Sequence, residues 1–473
     1  MYTKGGRQVM HRGKTVFFIE PRAGANTFSG FMSIPLLGPV YLATLARQAG
    51  YDAWVYNENI LGRSVTDDEL AQADQLCLSC LTATVEQGIE IAQRYRRVRH
   101  ARGLPALAHI GGIHASMMPE DVAPYFDHVV VGEGEYIIEG LLAGAYQERI
   151  IHGEPVNDLD TVPIPNFSLV KGWRGPRITP VMTSRGCPYD CNFCSVTEMF
   201  GRKYRAKSPE RVLKEIMRYP KGYIFFVDDN FAGNTIRLRR ILTLMKERGF
   251  ARPWTAQFRT SITEDPSLVA EMKARGCYWV FVGFESINPQ SLKDLRKRQS
   301  VEDIQRSVRV FHQNNIRVHG MFILGGDSDT DSVFRTTTEF VCRHKVDTVQ
   351  FSILTPLPGT PLFRRIAEEG RLLHRQWRYY DGLHVVFRPK NFSAGELQQG
   401  VISCFNDFYT YTHALSDAIS TGMKSMMAAG KRLITPRVPW PSFSGPLMKF
   451  VGRGYVKQWI RENASYVRYL RGL

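Results

Sequence analysis

Thr183-Ser-Arg-Gly-Cys-Pro-Tyr-Asp-Cys-Asn-Phe-Cys-Ser195 places Cys187, Cys191 and Cys194 in a C-x3-C-x2-C run. Three thiols this close in sequence can fold into a tripod on one side of an iron–sulfur cube, leaving one iron without a protein ligand and open to a substrate or cofactor. A structural zinc would ordinarily draw a fourth Cys or His from a second pair nearby, and after Cys194 neither residue recurs until Cys277. Zinc, a disulfide or three unrelated buried thiols are the alternatives to the cube.

Upstream of this run, apolar segments at Val16–Glu20, Ala53–Tyr56, Gln75–Cys80, Ala106–Ile110 and His128–Val131 alternate with helical stretches at Gly38–Gly50 and Val85–Arg99. This is the pattern of an α/β, Rossmann-like doubly wound sheet over residues 1–150. Ligands of such sheets bind outside the carboxyl ends of the strands. The turns expected there, Gly111-Gly-Ile-His-Ala-Ser116 and Gly132-Glu-Gly-Glu135, let backbone approach a bulky ligand. Residues 151–176, rich in Pro and Gly and without periodicity, read as a linker. Cys77 and Cys80 form a C-x-x-C, but three residues along a strand point to opposite faces, so they read as buried thiols.

Downstream, apolar runs at Ile178–Met182, Tyr223–Val227, Thr255–Phe258, Trp279–Phe284, Val318–Leu324 and Thr348–Ile353 alternate with helices over residues 177–372. The alternation predicts a partial (β/α)6 TIM-type barrel with its active groups at the strand ends. Those ends carry Asp228-Asp-Asn230, Gln257-Phe-Arg259, Gly283-Phe-Glu-Ser286 and Leu324-Gly-Gly326. Together they offer acceptors for an ammonium and for hydroxyls, and a cation for a carboxylate. Residues 373–473 read as an α-helical region. Ser393-Ala-Gly-Glu396 resembles a capping box, and Leu397, Val401, Cys404, Phe408, Thr412 and Leu415 form the packing face of the helix it opens. Tyr380, His384 and Arg388 either close the substrate side of the barrel or cement this helical region.

The 473 residues are 44% hydrophobic and 22% charged, which suits two or three globular domains. Eight cysteines, three of them clustered, do not make a disulfide framework and point to a reducing cytoplasm. The polar, Gly-rich first residues lack an apolar signal core, and no run approaches a membrane span. The net charge of +16 is concentrated late: from Thr421 on there are ten Lys/Arg against one acidic residue, Glu462, with Trp440, Phe443, Phe450, Tyr455, Trp459, Tyr466 and Tyr469 interleaved. Such a tail fits a peripheral contact with an anionic inner-membrane face, or a solvated basic helix. Nucleic acid is the weakest partner, since no recognised binding module accompanies the charge.

The cysteine run, with Phe193 before the third cysteine, resembles the signature of radical S-adenosylmethionine (SAM) enzymes. The order Leu-Gly-Pro-x-Tyr-Leu-Ala, Gly-Gly-x-His-Ala, Gly-Glu-Gly-Glu ahead of it is similar to the cobalamin-binding domain of the cobalamin-dependent members. The resemblance implies a 4Fe-4S cluster on Cys187, Cys191 and Cys194 and SAM on its open iron. It also implies cobalamin at the glycine-rich rim, and an electron donor such as flavodoxin or ferredoxin. It further places Asp228 or Asp229 at the SAM amino group, Arg259 at its carboxylate, Glu285 at ribose or the amino group, Phe193, Leu324 and Gly325 along adenine, and Ser286 among the SAM-binding residues. Gly111, Gly112, His114, Gly132, Glu133 and Gly134 are the candidate cobalamin positions, His114 as a turn or packing residue rather than a cobalt ligand. The loop Glu20-Pro-Arg-Ala-Gly24 lacks the histidine element of other cobalamin proteins, and in Asn57-Glu-Asn-Ile-Leu-Gly62 Asn59 stands where that histidine would be. The implied activity is methyl transfer to an unactivated carbon of a small molecule or lipid. Radical C–C bond formation, cyclisation or rearrangement on a lipid or tetrapyrrole is the alternative, and a non-catalytic iron–sulfur sensor is a second.

Overall fold

The computed structural model describes residues 13–22, 34–173, 178–219, 221–410 and 444–472. They form two compact units. One takes in the described residues up to Cys187 together with Ser195–Gly222; the other takes in Pro188–Cys194 and the described residues from Tyr223 onward.

In the first unit six parallel strands are ordered β2-β1-β3-β4-β5-β6. They are β1 (Thr15–Glu20), β2 (Asp52–Asn57), β3 (Gln75–Ser79), β4 (Leu107–Gly111), β5 (His128–Gly132) and β6 (Ile150–Gly153). Helices cover the sheet, so β1 and β3 are almost wholly buried and read as unbroken apolar runs rather than alternating ones. Cys77 and Cys80 are buried, and burial alone pushes the Cys77 thiol up to about 12, so neither behaves as a redox thiol. The Asn57–Gly62 stretch is a helix cap: Asn57 Oδ1 accepts from Ile60 N at 2.9 Å while its amide donates to the buried Glu20 carboxylate.

Strand β6 lies in the stretch read as linker. Its apolar core is only Ile150-Ile151, too short to register against the prolines that follow, yet it pairs with β5 from Val129↔Ile150 to Gly132↔Gly153. The rest of the stretch is packed rather than free: Val156, Leu159, Val162, Phe167, Leu169 and Val170 are buried, and Val170 bridges Val55. The glycines of the rim are explained first by backbone crossing backbone. Gly132 has φ +87°, and a Cβ there would lie 2.8 Å from Gly153 O; a Cβ on Gly153 would lie 2.0 Å from Glu133 O. Gly112 has φ +94°, with Cys80 O at 2.7 Å from the position of a Cβ.

Glu133 does not face a ligand. Its carboxylate accepts from both Arg205 nitrogens, from Arg185 Nη1 at 2.5 Å and from Val156 N at 3.0 Å, and Arg185 also donates to Glu135. All three side chains of the Glu133–Arg185–Arg205 group are at most 5% exposed. Burial works to raise the Glu133 pKa, but the hydrogen bonds and charges of the two guanidiniums outweigh it and hold the carboxyl below its usual range. The two arginines belong to β8 (Ser184–Arg185) and β9 (Arg205–Ala206), a short antiparallel pair flanking the cysteine run.

The second sheet is ordered β14-β13-β12-β11-β10-β7. It comprises β7 (Ile178–Val181), β10 (Tyr223–Phe226), β11 (Trp254–Phe258), β12 (Cys277–Glu285), β13 (Arg317–Leu324) and β14 (Thr348–Ile353). The six expected strands are present, with β10 to β14 parallel. No break separates the barrel from a helical domain at residue 372. Helix Ala394–Phe408, opened by the Ser393/Glu396 capping box, packs on helix Ser332–Arg343 and on β14 within the same unit. Leu397, Val401, Cys404 and Phe408 are its buried face, while Thr412 and Leu415 lie outside the described residues.

Tyr380 and His384 are buried and cement this region. His384 places Nδ1 3.0 Å from Asp381 and Nε2 2.7 Å from Asn463 Oδ1, and Tyr466 donates to Val385 O at 2.7 Å. Burial disfavours the charged ring, but Asp381 overcomes this and raises the His384 pKa. Arg388 is exposed. Of the tail aromatics, Trp459 and Tyr466 are buried and Tyr469 is 45% exposed; Trp440 and Phe443 lie outside the described residues. Among the described residues no helix is long and apolar enough to cross a membrane.

Removing the Glu133 carboxylate leaves the buried Arg205 guanidinium without a counter-charge and Arg185 with Glu135 alone, a defect that costs about 3–5 kcal/mol. Glu133→Ala is therefore expected to lower the urea midpoint of the purified protein far more than Glu154→Ala, an exposed neighbour. Equal midpoints for the two variants would show that the pair contributes no such anchoring.

Candidate cluster and cofactor site

The cysteine loop is shaped by backbone contacts before any ligand is considered. Gly186 has φ +81°, and a Cβ there would meet Lys203 O at 2.4 Å, so only glycine fits ahead of Cys187. Cys187 N donates to Gly201 O at 3.4 Å. Further along, Cys194 N donates to Cys191 O at 3.2 Å, and Asn192 is tied to the second unit's turn at 294–298. Its backbone N donates to Leu295 O at 3.4 Å and its Nδ2 to Asp294 O at 2.7 Å, while its carbonyl accepts from Leu362 N at 3.0 Å.

Arg259, at the end of β11, was expected at a ligand carboxylate. Its guanidinium is instead already committed. Nη1 lies 3.8 Å from Cys191 Sγ, Nη2 donates to Lys297 O, and the plane stacks 3.7 Å over the Tyr189 ring. Arg298 pairs with Asp190 at 2.9 Å. Arg296 and Arg298 both adopt left-handed backbone, φ 53° and 51°, a conformation costly for residues with a Cβ and retained where surrounding contacts enforce it.

Glu285 also differs from expectation. The register of β12 against β13 shifts between Gly283 and Glu285, and Glu285 takes φ 60°, which turns its carboxylate onto Lys297 Nζ. Both partners of this ion pair are buried, and Gly283 makes room for it, since a Cβ there would lie 2.5 Å from Glu285 Oε1 and 2.8 Å from Lys297 Nζ. Ser286 is buried, and its hydroxyl accepts from Asn288 N at 3.0 Å.

Leu324 is fully buried, and Gly325, φ +97°, turns its α-carbon toward Leu397, which a Cβ would meet at 2.5 Å. The Leu324 side chain and the Gly325 α-carbon therefore face the core, and Leu324 O accepts from Leu354 N at 2.9 Å. Asp329 Oδ2 accepts from Gly325 N and Gly326 N, both at 3.0 Å, and Ser291 donates to Oδ1 at 2.5 Å. Tyr189, Lys297 and Asp329 thus shape the site without having been legible as site residues. Only the Gly-Gly-Asp-Ser-Asp sequence after β13 hinted at a side chain closing its own turn.

Asp228 is buried, whereas Asp229 is accessible to solvent yet recessed among protein. That desolvation, with the Asp228 carboxylate beside it, pushes Asp229 up to about 6. Phe193 is half-buried and keeps part of its ring accessible. In the first unit, His114 is fully buried with Nε2 3.3 Å from Asp121.

The donor set fits an iron–sulfur cube. No disulfide engages Cys187, Cys191 or Cys194, and the Arg259 guanidinium lies beside Cys191. Among the described residues no three His, Cys, Asp or Glu side chains, the three cysteines included, are gathered into a metal-holding group, so the fit rests on the cysteine spacing and the chemistry of the thiols. At the ends of β4 and β5 a Cβ on Gly112, Gly132 or Gly134 would meet Cys80, Gly153 or the Leu42 side chain, and the His114 imidazole is turned inward.

Two family models match the chain, the B12 binding domain over residues 32–142 and the radical SAM superfamily over residues 181–341. The chain is 26% identical over 413 residues to a bacteriochlorophyllide d C-12(1)-methyltransferase of Chlorobaculum tepidum, covering 84% of this chain and 87% of that protein. It is 30% identical over 334 residues to a hopanoid C-2 methylase of Rhodopseudomonas palustris, covering 67% of this chain and 62% of that protein. In fold it is similar to the cobalamin-dependent S-adenosylmethionine radical enzyme OxsB, solved with aqua-cobalamin and S-adenosylmethionine. That match has a TM-score of 0.63 at 16% identity and covers 96% of this chain and 80% of that one. A three-cysteine loop ahead of a barrel rim, preceded by a parallel sheet with a glycine-rich edge, thus coincides with both matches in the same order, and the chain belongs to the cobalamin-dependent radical SAM enzymes.

Proposed function

We propose that this enzyme methylates an unactivated carbon of an apolar polycyclic small molecule presented at an anionic lipid surface. The observation that carries the substrate class is that relatives matched along most of this chain are named for hopanoid and bacteriochlorophyllide methylation, two apolar polycyclic skeletons. The lipid surface is supported by the C-terminal helices, where Lys457, Arg461, Arg468 and Arg471 are exposed beside Tyr469. Trp459 and Tyr466, packed inside, take no part in it.

When bound, the cluster with SAM supplies hydrogen-abstracting radical chemistry and cobalamin supplies the methyl carrier. The chain's own part is to bind and orient. Cys187, Cys191 and Cys194 hold the cluster. Asp229 accepts the SAM ammonium, with Asp228 behind it, and Phe193 offers its exposed ring to the adenine. The backbone of Leu324 and Gly325 and the Ser286 hydroxyl border the same rim. A flavodoxin- or ferredoxin-type donor delivers the electron.

Asp229 makes SAM binding pH-dependent. Its carboxyl titrates near 6, above the ordinary aspartate value, so below that pH the free enzyme carries a proton that a bound ammonium must displace. Affinity is expected to fall as pH drops through about 6, by up to roughly tenfold per unit, and Asp229→Asn should flatten the profile. Anaerobic equilibrium dialysis of SAM across this range checks it; a flat wild-type profile would remove Asp229 from the ammonium site.

Transfer itself is read with methyl-deuterated SAM, hydroxocobalamin and reduced flavodoxin, presenting hopanoid and bacteriochlorophyllide substrates separately in anionic and neutral vesicles. A labelled methyl group is expected in one of the two classes, faster on anionic vesicles and less so in high salt. Cleavage of SAM without labelled product from either class would refute the substrate assignment, and equal rates on both vesicle types would refute the electrostatic contact.

A further inference from the structure

We propose that Arg259 is a positioning residue that sets the reduction potential of the cluster by donating to the Cys191 sulfur. This rests on the reading that Cys191 is a cluster ligand. The Arg259 side chain is nearly sealed from solvent, 8% exposed, and each of its faces and edges in contact is accounted for by the cysteine loop or the turn that holds it. Nη1 points at Cys191 Sγ at 3.8 Å, Nη2 binds Lys297 O, and the Tyr189 ring lies 3.7 Å from the guanidinium carbon.

Cys191 Sγ also lies 3.8 Å from Arg296 O, and Arg296 is one of the two left-handed residues bracketing Lys297. The strained turn therefore does two things at once: it presents the Lys297 carbonyl that fixes the guanidinium, and it closes over the sulfur the guanidinium serves. A planar cation with a fork of donors meets this geometry; a lysine would keep the charge but lose the simultaneous hold on sulfur and carbonyl.

The consequence is electrostatic. One-electron reduction of a cluster adds negative charge to it and to its thiolates. A buried cation hydrogen-bonded to one thiolate stabilises the reduced form more than the oxidised form, and so raises the potential. A residue that served only a ligand carboxylate would affect SAM binding and leave the potential of SAM-free protein unchanged.

The experiment is an anaerobic, mediator-equilibrated titration of the cluster, followed by electron paramagnetic resonance, in wild type, Arg259→Gln and Arg259→Lys, each without SAM. SAM affinity is measured in parallel. The expected result is a midpoint shifted to more negative potential in Arg259→Gln, a smaller shift of the same sign in Arg259→Lys, and SAM affinity within a few-fold of wild type in both. Potentials equal to wild type in both variants would overturn the proposal, as would a large loss of SAM affinity at unchanged potential. If Arg259→Gln fails to retain a cluster, the comparison of Arg259→Lys with wild type decides alone. A cluster absent from wild type as well would refute the cluster reading itself, a different failure from an unshifted potential.

Discussion

The buried carboxylate of Glu133, gripped by Arg185 and Arg205, is the interaction on which the first unit's organisation depends. It joins the end of β5 to the two short strands that enclose the cysteine run, and it does so at a site no more than 5% exposed, where a charge left unpaired would be costly. The glycines around it follow from the same constraint. Gly132 and Gly153 are needed because two backbones cross there with no space for a Cβ. The strand that ends in Arg185 reaches Cys187 two residues later, so the ion pair anchors the near end of the cluster loop.

The far end of that loop, Pro188–Cys194, belongs to the second unit and is held there by a strained turn. Three left-handed residues, Glu285, Arg296 and Arg298, lie in the segment that receives Asn192, Cys191 and Arg259. Left-handed backbone at such residues costs of order 1–3 kcal/mol each and persists only when over-determined by its surroundings. Here the surroundings are the Glu285–Lys297 ion pair and the hydrogen bonds of Lys297 O and Leu295 O. Precision in the position of one sulfur is thereby obtained from a turn that would not form in isolation.

Much of the fold was legible because buried parallel strands are continuous apolar runs and their helices are periodic; eleven of the strands can be read from this alone to within a residue or two. The exceptions have physical causes. Strand β6 has two apolar residues and lies next to prolines, so composition pointed to a linker, while burial of Val156, Phe167 and Val170 shows a packed segment. The cysteine loop was legible because its spacing is chemistry rather than packing. The roles of Glu133, Arg259, Glu285, Leu324 and Gly325 were not, because each depends on a partner far along the chain or on backbone geometry: Arg185 and Arg205 for Glu133, Cys191 for Arg259, a bulge for Glu285, and Leu397 for Gly325. Sequence indicates which side chains end a strand, but not which of them are already satisfied.

Everything proposed for catalysis requires a cube held by three thiolates with one iron left for SAM. The most direct test is Mössbauer spectroscopy of protein reconstituted anaerobically with iron-57, recorded before and after SAM is added. A four-iron cluster in which a single iron site changes its isomer shift on SAM binding is the predicted result. A zinc-loaded, iron-free protein, or a cluster whose iron sites are all indifferent to SAM, would contradict it.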